Sequence, residues 1–461
     1  MHSRMVHLGQ EGRQMSQSYS IHGEHINAVD RARLNELLLD AAEEWSNVTI
    51  HFEHKLKKLD VEKGTMVYLV GADEFEVTKQ ADFIVGADGA YSKVRDQMMR
   101  KIRMNFQQEY IDTGYCELYM PPKIENGKPT YALDPNHLHI WPRHTFMLIA
   151  LPNPDKSFTC TLFMPFDMFE SIKTDGDLMK FFRTNFNDAI PLIGEERLKD
   201  DYRHNTRGSL ISIKTSPHHI KDKIVIVGDA AHAMVPFYGQ GMNCGFQDTE
   251  VLHQVLDKHH VRPVLSRDGS HIPGLMEALS SYSEERVKDA HAICDLAMYN
   301  HYEMRSAVTS VRYLARKKLE GWIQRVMPQW VTPLYSMVSF STLPYSQAIH
   351  RWHRQNFWLN VALGSVTMTI TGVSAWMLWR MVKSPSNARQ SLPSPTSSVN
   401  VASLVNSAAS STAGVVNATV SSATAAGAYV GSSLGINGKT LNQAQDKVKS
   451  AAGYVSQWLW K

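Results

Sequence analysis

Apolar positions along the chain change period several times, and each change marks a new element. Leu34, Leu37, Leu38 and Ala41 recur at helical spacing between about Ala28 and Glu44, with Asp30 placed to cap the first turn. Val48–Phe52, Met66–Val70 and Asp82–Val85 then read as strands between polar turns. From about Phe106 to Ile213 the chain becomes β-rich. His137–Trp141, Phe146–Leu151 and Ser157–Met164 are apolar, β-branched or aromatic runs, and Pro152-Asn153-Pro154-Asp155 turns between the last two. A second α/β piece follows, with a strand at Ile224–Val227 and a helix opening at about Gly241. From about Met276 to Ile349 the pattern is helical, and no internal repeat is visible.

Beyond this the pattern suits a different solvent. Phe357 to Trp379 is 23 residues without one Asp, Glu, Lys or Arg. As a helix it reaches about 35 Å, enough to cross a hydrocarbon core of about 30 Å. Trp358, Trp376 and Trp379 sit near its ends, and Arg351, Arg354, Arg380 and Lys383 flank it. A buried core helix is the alternative, because Asn360 and several Ser and Thr dilute the apolar character. Gln390–Gly438 is rich in Ser, Ala, Thr, Val and Gly, and predicts a disordered tail. Asn442–Trp460 predicts a short amphipathic helix lying on a membrane.

Composition narrows the class. At 461 residues the chain calls for two domains plus appendages, and 43% hydrophobic residues suffice for buried cores. A net charge of +3 with no basic run excludes a nucleic-acid partner on electrostatic grounds. Cys116, Cys160, Cys244 and Cys294 are scattered and read as reduced, buried thiols. Met1-His2-Ser3-Arg4-Met5 carries no apolar signal region. No metal site is expected: His218-His219, His259-His260 and the pair His350/His353 lack matching acidic or thiolate partners.

Two motifs carry chemistry. In Lys223-Ile-Val-Ile-Val-Gly-Asp-Ala-Ala-His232, running on to Pro236-Phe-Tyr-Gly-Gln-Gly-Met-Asn243, an apolar strand ends at Gly228-Asp229 and a Gly-rich turn opens a helix. That geometry offers the Asp229 carboxylate to a polyol hydroxyl, close backbone approach to a flat ligand, and a helix N-terminus to developing negative charge. An ordinary βα turn with a capping Asp explains Gly228-Asp229 alone but not the whole run. Asp82-Phe-Ile-Val-Gly-Ala-Asp-Gly-Ala-Tyr-Ser-Lys-Val-Arg95 is again a strand ending in Asp88-Gly89. Asp-Gly is common turn chemistry. Two such strands about 140 residues apart, bracketing a β-rich insert, are more specific.

Gly-Ala-Asp-Gly-Ala-Tyr-Ser-x-Val-Arg and Gly-Asp-Ala-Ala-His-Ala-x-x-Pro resemble the two downstream FAD motifs of the group A flavoprotein aromatic hydroxylases. His137-Leu-His-Ile-Trp-Pro-Arg143, Phe158-Thr-Cys-Thr-Leu-Phe-Met-Pro165, Ala189-Ile-Pro-Leu-Ile-Gly194 and Pro236-Phe-Tyr-Gly-Gln-Gly-Met-Asn-Cys-Gly245 resemble the kynurenine 3-monooxygenases within that group. The resemblance covers roughly Met1 to Arg354. It implies an α/β fold: an FAD-binding domain of the glutathione-reductase-like, PHBH type, an inserted mixed or antiparallel β-sheet substrate domain, C-terminal helices and a membrane helix. The implied division is 1–105 and 216–265 for FAD, 106–215 for the substrate sheet, 266–355 for helices, 356–382 for the span and 383–461 for the tail.

By position, the resemblance implies that the flavin meets Arg31, Leu56, Asp88, Asp229, Met242 and Asn243. Arg4 and Tyr19 would hold the substrate's amino-acid end, with Asn300 and Tyr335 closing the pocket and Pro236-Phe237-Tyr238 forming the wall over the flavin. The reaction implied is FAD-dependent, NADPH-using hydroxylation of L-kynurenine by molecular oxygen to 3-hydroxy-L-kynurenine, in tryptophan degradation and NAD biosynthesis. An outer mitochondrial membrane location, with the catalytic part facing the cytosol, is implied as well. From the residues alone, Asn300 shares a stripe with Ile293, Leu296 and Met304, where a buried amide needs either a ligand or a helix neighbour. Arg4 alone would look like a surface charge.

One departure stands out. Members of the family begin with a βαβ unit bearing Gly-x-Gly-x-x-Gly, which this sequence does not contain. The expectation is therefore a chain lacking that unit and impaired in activity. Two rivals stay open: another hydroxylase of the group acting on a phenol, salicylate or quinone precursor, and a non-catalytic membrane protein.

Overall fold

A computed structural model describes residues 1–306 and 331–383, less 10, 11, 21 and 267–270, together with 316, 320, 321, 323, 324 and 326. Met1–Thr369 form one compact unit, and the chain from Ile370 on is divided from it. In that second part the described residues are the closing turns of a long helix, and the expectations for Gln390–Gly438 and Asn442–Trp460 lie outside the described residues.

A seven-stranded sheet dominates the first unit. In chain order its strands are β1 (Ser3–Leu8), β2 (Arg13–Ser18), and then, after four strands described below, β7 (Asn105–Met120), β10 (His137–Arg143), β11 (Phe146–Pro152), β12 (Phe158–Pro165) and β13 (Gly208–Ser216). Their order across the sheet is β13-β7-β12-β11-β10-β1-β2; β1 runs parallel to β10 and the other pairs are antiparallel. A short hairpin, β8 (Lys123–Glu125) with β9 (Lys128–Thr130), extends β7.

Strand alternation assigns two cores. Trp141, Leu148, Leu162 and Met164 face helices α3 (Phe166–Ser171), α4 (Asp175–Asn185), α5 (Ile190–Ile193) and α6 (Glu195–His204), packing on Phe169, Phe182, Phe186 and Leu198. Their neighbours Ile140, Met147 and Phe163 face the other way, onto Phe237, Ile293, Leu296 and Met337. At about 1.5–3 kcal/mol per fully buried large side chain, this two-sided packing makes the sheet the rigid support of the site.

The smaller α/β layer is a three-stranded sheet, β14 (His219–Ile220), β15 (Ile224–Ile226) and β6 (Ile84–Gly86). β15 and β6 are parallel, with Ile224 opposite Ile84 and Ile226 opposite Gly86. The two Gly-Asp motifs therefore leave neighbouring strands at the same carboxyl end, where open α/β sheets bind ligands. An antiparallel meander, β3 (His54–Asp60), β4 (Thr65–Val70) and β5 (Phe75–Gln80), stands beside it with helix α1 (Arg31–Glu43) before and α2 (Lys93–Met99) after.

Several expectations shift. The strand expected at Val48–Phe52 forms instead at His54–Asp60, where Leu56 and Leu59 supply the inner face between exposed lysines. The β-rich stretch holds four helices: α4 carries a Thr174–Asp177 capping box, and both α4 and α6 bury residues at helical spacing, Leu178 with Phe182 and Leu198 with Tyr202. β1 and β2, within the stretch assigned to the flavin domain, join the larger sheet. α1 forms with Asp30 accepting from Arg33 N, yet buries nothing: Leu37 and Leu38 are about half exposed among the described residues.

Helices complete the described residues: α7 (Asp229–His232), α8 (Gly241–Lys258), α9 (Leu275–Arg305), a short helix Leu334–Ser339 and a long one, Tyr345–Lys383. The span expected at 356–382 is helical. Among the described residues, however, no helix is long and apolar enough to cross a membrane, since Asn360 and the hydroxyl residues dilute it.

Candidate active site

Arg4 and Gln17 sit opposite one another in the β1–β2 ladder, so their side chains leave the same face. Arg4 is buried; its Nε donates to Gln17 Oε1 at 3.0 Å and its Nη2 to Glu303 Oε1 on α9 at 3.0 Å. Tyr19, just past β2, stacks on Tyr335 with ring centroids 5.0 Å apart, and Tyr335 stacks on Tyr238 at 5.5 Å. Burial raises the pKa of all three phenols, so each remains a neutral O–H.

Pro236–Tyr238 is a 3-10 turn whose Phe237 and Tyr238 are buried, while Pro236 is exposed. Phe237 lies between Phe163 of β12 (4.9 Å) and the ring of His301 (4.1 Å, 14°). Asn300 Nδ2 donates to the Phe237 carbonyl at 2.8 Å and approaches Met304 Sδ at 3.6 Å. The buried amide thus finds its partner in the turn, fixing the turn to α9. Burial, then Arg305, pushes His301 down to about 4, so its ring is neutral near pH 7.

The second set gathers at the carboxyl ends of β6 and β15. Gly228, at φ +58, ends β15 and turns Asp229 outward. Its surroundings raise the Asp229 carboxyl, while His232 and Arg31 at the start of α1 pull it back. Asp88 supports the start of α2, whose cap is Ser92: Asp88 Oδ2 accepts from Lys93 N at 2.7 Å and Val94 N at 3.0 Å. Arg95 ties the two motifs together, donating from Nη1 to the Ala230 carbonyl and from Nη2 to the Ala90 carbonyl. Gly239 is left-handed at φ +69, and Gln240 caps α8 without a side-chain hydrogen bond. The first amides of α8 therefore lack a side-chain partner there, with Met242 and Asn243 exposed beside them. Leu56 packs instead with the apolar cluster of Leu59, Ile84 and Met98.

Beneath this turn lies a buried polar cluster. Asp248 Oδ2 accepts from Gly228 N (2.7 Å) and His232 Nε2 (2.6 Å), and its Oδ1 accepts from Arg286 Nε (2.8 Å). Arg286 Nη2 also lies 3.3 Å from Cys244 Sγ. His232, Cys244 and Asp248 bring ligand-type atoms within 4.8 Å of one another. The Arg286 guanidinium already answers Asp248 and lies against Cys244, so the cluster reads as a structural brace.

The arrangement thus brings Arg4, Tyr19, Tyr335, Asn300 and the Pro236–Tyr238 turn together. Arg31 and Asp229 form a second group, with Asp88 linked through Arg95. Sequence reasoning missed Gln17, Glu303 and His301. Glu303 lies one helical turn beyond Asn300, and Gln17 lies two strand positions before Tyr19; those spacings were the available signals.

A surface of exposed α8 amides, a strand-end carboxylate and positive-φ glycines suits a flat, polyol-bearing anion. Comparison with known proteins agrees with this chemistry. A family profile described as an FAD binding domain matches residues 2–296. Kynurenine 3-monooxygenase of Yarrowia lipolytica is 44% identical over 364 residues, 77% of this chain and 75% of its own length. That of Drosophila willistoni is 43% identical over 357 residues, covering 77% and 74%. A solved structure of 2-methyl-3-hydroxypyridine-5-carboxylic acid oxygenase is similar at 19% identity and TM-score 0.46, over 68% of this chain and 76% of its own.

Proposed function

The chain belongs to the FAD-binding kynurenine 3-monooxygenases, and from that premise we propose how its own residues carry out FAD-dependent hydroxylation of L-kynurenine with NADPH and oxygen. The observation that carries the reading is the buried Arg4, braced by Gln17 and Glu303 beside the Tyr19–Tyr335–Tyr238 stack. A guanidinium next to a carboxylate matches an amino-acid zwitterion, and flat rings match an aryl ketone. Arg4 binds the substrate carboxylate, Glu303 faces its ammonium, and the tyrosines hold the ring. Asn300 fixes the Pro236–Phe237–Tyr238 turn, which walls the reacting ring from water.

Bound FAD supplies the electrons, taken from NADPH, with which oxygen is activated for transfer to the ring. The residues that would hold it are Asp229 and Arg31 at its polyol, and the α8 amides at Met242 and Asn243 at its electron-rich ring edge. Asp88 acts through the start of α2, and Leu56 supplies apolar support. In this reading residues 31–105 and 216–265 serve the flavin, while β1 and β2 join 106–215 on the substrate side.

The test is to purify the full chain with excess FAD and measure NADPH oxidation and 3-hydroxykynurenine by chromatography. Kynurenine is expected to stimulate both, whereas phenol and salicylate are not. Equal hydroxylation of those simple phenols would overturn the assignment.

We further propose that the long helix Tyr345–Lys383 attaches the protein to a membrane, the outer mitochondrial membrane with the catalytic unit in the cytosol. Support comes from the exposure of Phe357, Trp358, Met368, Trp376 and Trp379 along it. Truncation after Gln355 should release the protein from membranes; a truncated chain that still pellets after a carbonate wash would place the attachment elsewhere.

A further inference from the structure

Arg4 does not settle how the site tells an amino acid from the corresponding amine, and its neighbour supplies the missing part. Gln17 is 8% exposed and lies directly across the ladder from Arg4. Because Arg4 Nε can only donate, the atom of Gln17 that meets it at 3.0 Å must be the carbonyl oxygen. That fixes the amide orientation and leaves Nε2, a pair of N–H donors, buried with no partner among the described residues. Tyr19 Oη, two residues on and just past β2, is buried and without a partner as well. Buried donors are rarely left so in folded proteins, and two beside one guanidinium mark a place built for an acceptor from outside the chain.

We propose that Gln17 is a specificity-determining residue of the site: it orients Arg4 through Oε1 and donates from Nε2 to the substrate's carboxylate. The inference rests on the reading of the site as one for an amino-acid substrate. It assigns the carboxylate a third donor beside Arg4 and Tyr19. It also gives the guanidinium a fixed orientation, with Nε committed to Gln17 and one terminal nitrogen to Glu303.

The test is calorimetric binding to the FAD-loaded full chain, with L-kynurenine and with the decarboxylated amine that keeps its aryl ketone. Gln17→Glu keeps an acceptor for Arg4 but replaces the donor with negative charge. It should weaken kynurenine about 100-fold while leaving the amine within about twofold. Gln17→Met removes both contacts at similar size and should weaken kynurenine about tenfold, again sparing the amine. Melting temperature and bound flavin report folding for each variant, and either folded variant decides the matter. Unchanged kynurenine affinity, or equal loss for both ligands, would overturn the proposal. Failure of the unmodified chain to bind kynurenine would overturn the functional reading itself, a distinct result.

Discussion

The ring of Tyr335 lies 5.5 Å from that of Tyr238 at an interplanar angle of 15°, joining the short helix Leu334–Ser339 to the turn that walls the site. Tyr335 also stacks on Tyr19 at 5.0 Å and 16°, so three distant segments share one set of parallel rings. Aromatic pairs contribute about 0.5–1.5 kcal/mol beyond burial. Tyr335→Ala should therefore raise the kynurenine dissociation constant by roughly 5- to 100-fold. It should also open the site to water, so that less of the NADPH oxidised ends in hydroxylated product. The ratio of 3-hydroxykynurenine formed to NADPH consumed reports this, and an unchanged ratio would show that Tyr335 does not close the site.

How much of this was legible before folding varies by element. The strands Ile84–Gly86 and Ile224–Ile226 were plain, because short wholly apolar runs suit a parallel sheet, although Val85 is left 45% exposed. Asn300 was legible as a polar break in an apolar helix stripe, but its partner, the Phe237 carbonyl, was not, since 63 residues separate them. α3–α6 were hidden inside a β-rich stretch, and only α4 carries a capping box that could have marked a helix start there. The Arg4–Glu303 pair bridges 299 residues and has no local signature.

Arg4→Met should weaken kynurenine binding by about 2–4 kcal/mol, the size expected when one member of a charge-assisted set is removed from a buried site. Glu303 also loses its Arg4 partner, which leaves a part-buried carboxylate less well compensated. Flavin content should stay at the unmodified level, because the α8 N-terminus and Asp229 are held by other residues. Equilibrium titration of the purified variant checks both, and loss of flavin together with kynurenine would mean that Arg4 acts on the fold instead.

Stability should fall on both sides of neutrality, for different histidines. Burial lowers His139 to about 4, His218 to about 3 and His301 to about 4, against about 6.5 when unfolded. Between those values the unfolded chain binds more protons, so stability is lost as pH falls from about 6.5 toward 4. His232 goes the other way: burial alone would lower it, but Asp248 and Cys244 raise it to about 10. The folded chain then holds the extra proton, and that contribution fades as pH rises from about 6.5 to 10. Melting temperatures from pH 4 to 10 test this. His301→Phe should flatten the acid limb while keeping the stacking on Phe237, and an unaltered limb would remove His301 from the account.

Asp248→Asn should be the most damaging single change beneath the flavin surface. Its carboxylate is fully buried and answers three donors: the Gly228 amide, the His232 imidazole and the Arg286 guanidinium. An amide keeps the shape but removes the nearest counter-charge of Arg286, itself 2% exposed, leaving it only Asp289 at 4.0 Å. Removing one partner of a buried ion pair costs about 3–5 kcal/mol, because the remaining charge stays desolvated. The loss is directed as well as large. Gly228 N sets the turn that presents Asp229, and Cys244 and Asp248 lie on the first turns of α8, so the brace holds both sides of the flavin surface in register. We therefore expect a lowered melting temperature together with flavin lost on gel filtration. The alkaline limb of the stability profile should also disappear, since His232 would no longer be held protonated. A chelator should leave the unmodified protein's melting temperature unchanged, because Arg286 already neutralises the Asp248 carboxylate. A drop on chelation, or an Asp248→Asn variant that melts like the unmodified chain and keeps its flavin, would mean that the His232–Cys244–Asp248 cluster serves a metal or nothing, and does not brace the turn.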